Sequence, residues 1–350
     1  MTKKSKNQPL FISLILILLL TACTGGNKNT TTQQPSAESV VKASVPVDIN
    51  AEAKLLLEYL DEQGDYVNSR NFPSMIKVSS VHDDLDGNIK IIDLRDGDSF
   101  KKGHIKNAAN VNFSALPDYF ANDIKPLEYD KIILVCYAGQ IASYATLLLR
   151  LMGYDNVFTM KWGMSGWNKD FADDWWLKIV SSKYEDKLEK EIHEKAAAQD
   201  FPALKTGKET GKEIFDSRIK SLFEAGTGSI FISADSLFNH TSGYYVINYD
   251  RRDKYENGHI PGAIRYKPNG TLGIVDEMQT IPADQNVVIY CQTGQNSGFV
   301  SAYLRLFGYN AKSLIYGNNA FMHDIMVTDK IKLAWSPFTN EEIENYPYEK

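Results

Sequence analysis

The feature that most constrains this chain is an internal repeat at a fixed distance of 155 residues. The tripeptide Gly-His-Ile begins at Gly103 and again at Gly258, a cysteine stands at Cys136 and Cys291, and Gly-Tyr pairs fall at Gly153-Tyr154 and Gly308-Tyr309. Ala108/Ala263, Gly139/Gly294, Gln140/Gln295 and Arg150/Arg305 keep the same interval, so no net insertion separates the landmarks. A period this long describes two duplicated domains rather than a solenoid of short repeats.

Each copy has the same order of elements. Short β-branched runs, "IKIIDL" from Ile89 and "YYVINY" from Tyr244, read as buried strands, as do "KIILVC" and "NVVIYC", which end on the two cysteines. A Gly-containing turn follows each cysteine, then an apolar helix that closes at Gly153 or Gly308. Strands alternating with helices predict an α/β fold with a central parallel sheet covered on both faces in each copy.

The segments outside the repeats are of other kinds. Lys3, Lys4 and Lys6 precede the apolar run Leu10–Leu20, and "LTAC" ends at Cys23. That ending resembles a bacterial lipobox, so residues 1–22 are expected to be a lipoprotein signal peptide, with lipid on Cys23 holding an exported protein to a membrane. Residues 23–50 are polar and read as a flexible tether. Residues 51–180 are expected to hold the first domain, 181–205 a charged, exposed helical connector rich in Lys, Glu and Ala, and 206–340 the second domain. Without the leader, 35 basic residues face 44 acidic ones, a net charge of −9. No basic cluster offers a nucleic-acid surface.

If Cys23 is lipidated, Cys136 and Cys291 are the remaining thiols. A disulfide between equivalent positions of two copies is not the natural use of such sites. A cysteine delivered by a strand to the start of a helix sits instead where loop N–H groups and the helix dipole favour an anion. Both cysteines are therefore expected to carry thiolate character and nucleophilic reactivity at neutral pH.

Taken with this loop, "DLRDGDSFKKGHIKNAANV" (Asp93–Val111) and "LLLRLMGYDNVFTMKWGMSGW" (Leu147–Trp167) resemble a rhodanese domain, and the duplication resembles a tandem rhodanese sulfurtransferase, from about Ala53 to Met326. The resemblance implies an enzyme that takes sulfane sulfur from a donor, holds it as a cysteine persulfide on Cys136 or Cys291 and passes it to a thiol or other thiophilic acceptor. It implies no cofactor, and it leaves any protein partner unspecified. The loops Tyr137, Ala138, Gly139, Gln140, Ile141 and Ala142, and Gln292, Thr293, Gly294, Gln295, Asn296 and Ser297, would be the sulfur cradles. The family often places an arginine five residues after the cysteine to bind anionic donors. Ile141 and Asn296 stand there, which weakens the case for thiosulfate and favours neutral or protein-bound persulfides.

Other assignments stay open or are disfavoured. Gln140 and Gln295 read equally well as donors at the loop mouths and as solvent-facing residues. The first copy keeps Asp93-Leu94-Arg95 and "WGMSGW", where the second has Asn248-Tyr249-Asp250 and "YGNNAF". The sequence does not rank the two sites. A cysteine phosphatase would need an arginine six residues after the cysteine, where Ala142 and Ser297 stand. No metal set is expected, because His104 and His259 belong to separate copies and no third ligand recurs beside them; each is expected to make a structural hydrogen bond. The tryptophans read as packing residues. The competing function is a membrane-tethered, catalytically weak rhodanese-like module that binds a partner or senses redox state.

Overall fold

The computed structural model describes residues 49–273 and 277–350. The leader, Cys23 and the tether as far as Asp48 lie outside the described residues. Among the described residues no helix is long and apolar enough to cross a membrane.

The first sheet contains β1 (Met75–Ile76), β2 (Ile89–Asp93), β3 (Ala109–Asn110), β4 (Lys131–Val135) and β5 (Val157–Met160), in the order β1-β5-β4-β2-β3. The second contains β6 (Phe231–Ile232), β7 (Tyr245–Asn248), β8 (Ile264–Arg265), β9 (Val287–Tyr290) and β10 (Ala311–Leu314), in the order β6-β10-β9-β7-β8. Every pairing is parallel. The duplication is thus preserved strand for strand. Its central strands are buried on both faces, which is why they read as unbroken apolar runs.

The two copies pack through the helices that follow their cysteines, Gln140–Leu151 and Gln295–Leu306. Nearly every residue of both is buried, because each helix has its own sheet on one side and the other copy on the other. Gly298 permits the close crossing: a Cβ there would lie 3.0 Å from the Gln140 carbonyl. One apolar cluster consequently runs from Leu56 and Leu148 in the first copy to Phe299 and Leu304 in the second.

The connector corrects the sequence expectation. Residues 181–205 are not helical apart from the single 3₁₀ turn Glu185–Lys187. They form an extended strap across the second copy, with N–H groups of Ser181, Glu189 and Gln199 donating to carbonyls of Asn319, His259 and Gln279. Phe201 and Leu204 at its end are buried. Helix propensity favours the isolated segment, but an extended chain covers about 3.3 Å per residue against 1.5 Å in a helix. The strap spans the domain and exchanges its backbone bonds with it, and that tertiary pairing wins.

A second strap mirrors the first. The segment 342–350 crosses back over the first copy, where Glu344 and Tyr346 donate to the carbonyls of Gly166 and Trp167. His104 and Glu349 exchange both backbone bonds, just as Glu189 and His259 do in the second copy. Each domain is therefore strapped by the segment that follows the other.

Candidate active site

β4 and β9 each end immediately before a cysteine, and each following helix begins after a glycine N-cap, Gly139 or Gly294, that offers no side-chain cap. The first helical N–H groups are left without intrahelical acceptors, and the loops turn them towards sulfur. Gly139 N–H donates to Cys136 Sγ at 3.1 Å, and amides of Ala138, Ile141 and Ala142 also act on that sulfur. At Cys291, Ser297 N–H donates to Sγ at 3.4 Å, the thiol reaches Ser297 Oγ at 3.6 Å, and the Thr293 amide contributes.

The resting thiols differ from the expectation of ready thiolates. Both cysteines are free and buried, at 2% and 3% exposure. Burial pushes both thiols up from their ordinary value, and the loop amides pull against that without reversing it. Near Cys291 the charge of Asp250 pushes further in the same direction. Desolvation of the anion outweighs the cradle while the loops are closed.

Both readings of the two glutamines are also replaced. Gln140 and Gln295 are buried, and each crosses into the other copy. Gln140 Nε2 donates to the Thr293 carbonyl at 2.9 Å, and Gln295 Oε1 accepts from Trp162 N–H at 3.3 Å. The glutamines lie so close to the opposite N-caps that a Cβ on Gly139 would meet Gln295, and one on Gly294 would meet Gln140. The two cradles are braced against each other. Gln140→Ala strands the buried Thr293 carbonyl, and it is expected to destabilise the protein by about 1–3 kcal/mol in urea unfolding.

A further pair escaped the sequence reading. Gly163 and Gly317, in the turns after β5 and β10, lie directly beneath the cysteine carbonyls. The next residues, Met164 and Asn318, donate their N–H groups to the Cys136 and Cys291 carbonyls at 2.9 Å. The signal was present, since glycine recurs in "WGMSGW" and "YGNNAF".

The strand ends set different charges beside the two loops. After β2, Arg95 pairs with Asp93 through Nε at 3.0 Å and Nη2 at 2.6 Å, and also donates to the Gly103 carbonyl at 2.6 Å. After β7, Asp250 occupies the arginine position, and Lys254 lies 3.8 Å away. Burial pushes the Asp250 carboxyl up to about 6, partly offset by Lys254, and its Oδ2 has no hydrogen-bond partner. Folded Asp250 thus holds its proton more tightly than unfolded Asp250 between pH 4 and 6, so its contribution falls as pH rises through that window and levels off above it. Relative to wild type, Asp250→Asn is expected to gain up to about 3 kcal/mol between pH 4 and 7 in paired urea titrations. A difference independent of pH would refute the assignment.

The first loop opens beside a cleft lined by Arg95, Ser99, Lys102, Tyr137 and Trp175, with Tyr137 stacked on Trp175 at 4.0 Å between ring centroids. Ile141 and Asn296, half-buried, supply no cation. Trp162, Trp167 and Trp176 are buried packing residues. His104 and His259 make the expected structural bonds, each through Nδ1 to the carbonyl four residues earlier.

Two parallel sheets, one in each copy and each presenting a cysteine to backbone amides of the loop and helix start, define a tandem rhodanese-like protein. The family model "Rhodanese-like domain" matches residues 78–170 and 200–324, and the chain belongs to that family. It is similar to thiosulfate sulfurtransferase GlpE of Shewanella oneidensis, 35% identical over 82 residues that make up 23% of this chain and 77% of the relative. GlpE of Stutzerimonas stutzeri is 30% identical over 84 residues, 24% of this chain and 74% of the relative. A thiosulfate sulfurtransferase structure from Pseudomonas aeruginosa aligns with 76% of this chain and 46% of its own, at 17% identity and a TM-score of 0.27, too low to carry weight.

Proposed function

We propose that this chain is a sulfurtransferase that carries sulfane sulfur as a persulfide on Cys136, Cys291 or both. The observation that carries the reading is the closure of helix-start amides around each sulfur. In the first step the cysteine thiolate attacks the sulfane sulfur of the donor. A new S–S bond forms, the donor's bond to that sulfur breaks, and the leaving group (sulfite or a thiolate) departs with the electron pair. In the second, an acceptor thiolate attacks the terminal sulfur and the cysteine leaves as thiolate. Amides fixed around the sulfur stabilise the anion at both stages. Deep burial requires the loop to open for the donor.

The absence of a cation at Ile141 and Asn296 favours persulfide donors over thiosulfate. Ile141→Arg is expected to speed the loading of Cys136 from thiosulfate at least about tenfold, since a hydrogen bond to a charged group is worth about 1.5–3 kcal/mol. Equal rates in variant and wild type, read by cyanide release of sulfur as thiocyanate, would remove this donor preference. The raised thiols support a second reading, a catalytically weak module that binds a partner or senses redox state, which predicts no loading from either donor. The leader ending at Cys23 supports an exported protein held to a membrane by lipid.

A further inference from the structure

We propose that Glu189, His193 and His259 form a binding site for a divalent transition-metal cation of the zinc class, clamping the connector strap to the second domain. The strap brings a carboxylate and an imidazole to a histidine fixed in the domain, a meeting that sequence spacing does not foretell. Their ligand atoms all lie within 4.8 Å of one another. A metal with bonds of about 2.0–2.1 Å to nitrogen and oxygen bridges such a group after small side-chain movements.

The strongest indication is His259. Its ring is fully buried and stacked on Tyr255 at 3.8 Å between centroids, and its Nδ1 lies 2.8 Å from the Tyr255 carbonyl. A carbonyl only accepts, so Nδ1 carries the hydrogen, and in the neutral ring Nε2 is a bare lone pair. That buried Nε2 has no hydrogen-bond partner, and it faces Glu189 Oε1 at 3.6 Å. A lone pair aimed at a carboxylate calls for a cation between them. The Nδ1 bond to a carbonyl is the arrangement that orients a metal-binding imidazole through its outer nitrogen.

The other two ligands suit the role. His193 Nε2 lies 2.6 Å from Glu189 Oε1, and Gly262 N–H donates to the same oxygen at 2.5 Å, fixing the carboxylate. Both strap side chains are about 30% exposed, which leaves water access to a fourth position. Two imidazoles and one carboxylate favour zinc, copper or cobalt over magnesium or calcium. The first domain offers a contrast: His104 makes the same Nδ1 bond and the same strap pairing with Glu349. No comparable ligand cluster gathers there among the described residues.

The test uses the full chain in detergent, carrying Cys23→Ser, Cys136→Ser and Cys291→Ser so that no thiol competes for metal. Zinc binding is measured by calorimetry, and cobalt binding by its visible absorption bands. The site predicts one equivalent of either metal and a raised unfolding temperature on binding. His193→Ala and Glu189→Gln should each weaken binding by more than the roughly 10–100-fold that loss of an outer-shell partner costs. His240→Ala, at an exposed position, should bind as the parent does. Circular dichroism confirms that each variant is folded. Absence of binding, or binding unchanged in folded His193→Ala, overturns the proposal. So does a metal-indifferent protein whose His259 is an imidazolium at about pH 7.5 by NMR, because a proton then fills the gap.

Discussion

Gly163→Ala is expected to destabilise the protein by more than about 3 kcal/mol and to abolish sulfur loading at Cys136. Gly163 has φ +59° and ψ −152°, a region essentially closed to other residues, and enforcing it costs about 1–3 kcal/mol. The larger cost is contact. A Cβ at this position would lie 2.3 Å from the Cys136 carbonyl, 2.7 Å from Gly139 N and 2.8 Å from Ala138 N. These are backbone atoms of the cradle, so they relieve the clash only by moving the amides that face sulfur. Gly317→Ala carries the same expectation for Cys291, with a Cβ 2.0 Å from its carbonyl. Gly153→Ala separates strain from contact, because Gly153 also has positive φ but nothing within 4 Å of the added carbon. It should cost only about 1–2 kcal/mol and leave loading intact. Urea unfolding of the three variants, with loading measured on each, checks this. A Gly163→Ala protein that loads normally would show that the turn does not brace the loop.

The second large effect is expected at Asp93. Arg95 and Asp93 side chains are 2% and 1% exposed, and Asp93 accepts bonds from Arg95 through Nε, Nη2 and the backbone N–H, the last at 3.0 Å. Asp93→Asn leaves a guanidinium in the interior without its counter-charge, which typically costs about 3–5 kcal/mol. The Gly103 carbonyl remains as a partner but carries no charge. The second domain shows the alternative: Asn248 stands at the aspartate position, and the cation has moved to Lys254, opposite Asp250. A change of stability below about 1 kcal/mol for Asp93→Asn in urea unfolding would mean that water reaches Arg95.

These cases also show what could be read along the chain. The parallel α/β class, the central strands, the cysteines at their ends and the helices after them follow from local patterns, because each is built within one copy; the order of the five strands and the short edge strands do not. The two glutamines, the straps and the Glu189–His193–His259 group depend on segments from different copies, or from connector and domain, meeting in space. Periodicity within a segment carries no record of that. The connector misled because Lys, Glu and Ala favour helix in isolation, while its N–H groups are claimed by carbonyls of the second domain. The thiols misled for another reason. The loop amides do turn towards sulfur, but the burial that opposes them arises only when the two loop helices pack face to face.

The central claim is that a cysteine held by these loops carries sulfur. Its most direct test is intact mass after exposure to glutathione persulfide or thiosulfate, with Cys136→Ser and Cys291→Ser alongside. The account predicts a reducible gain of one sulfur per working site, abolished when that cysteine is replaced. No gain from either donor, with both thiols still open to alkylation in the unfolded chain, would contradict it and leave the binding or redox-sensing module in its place.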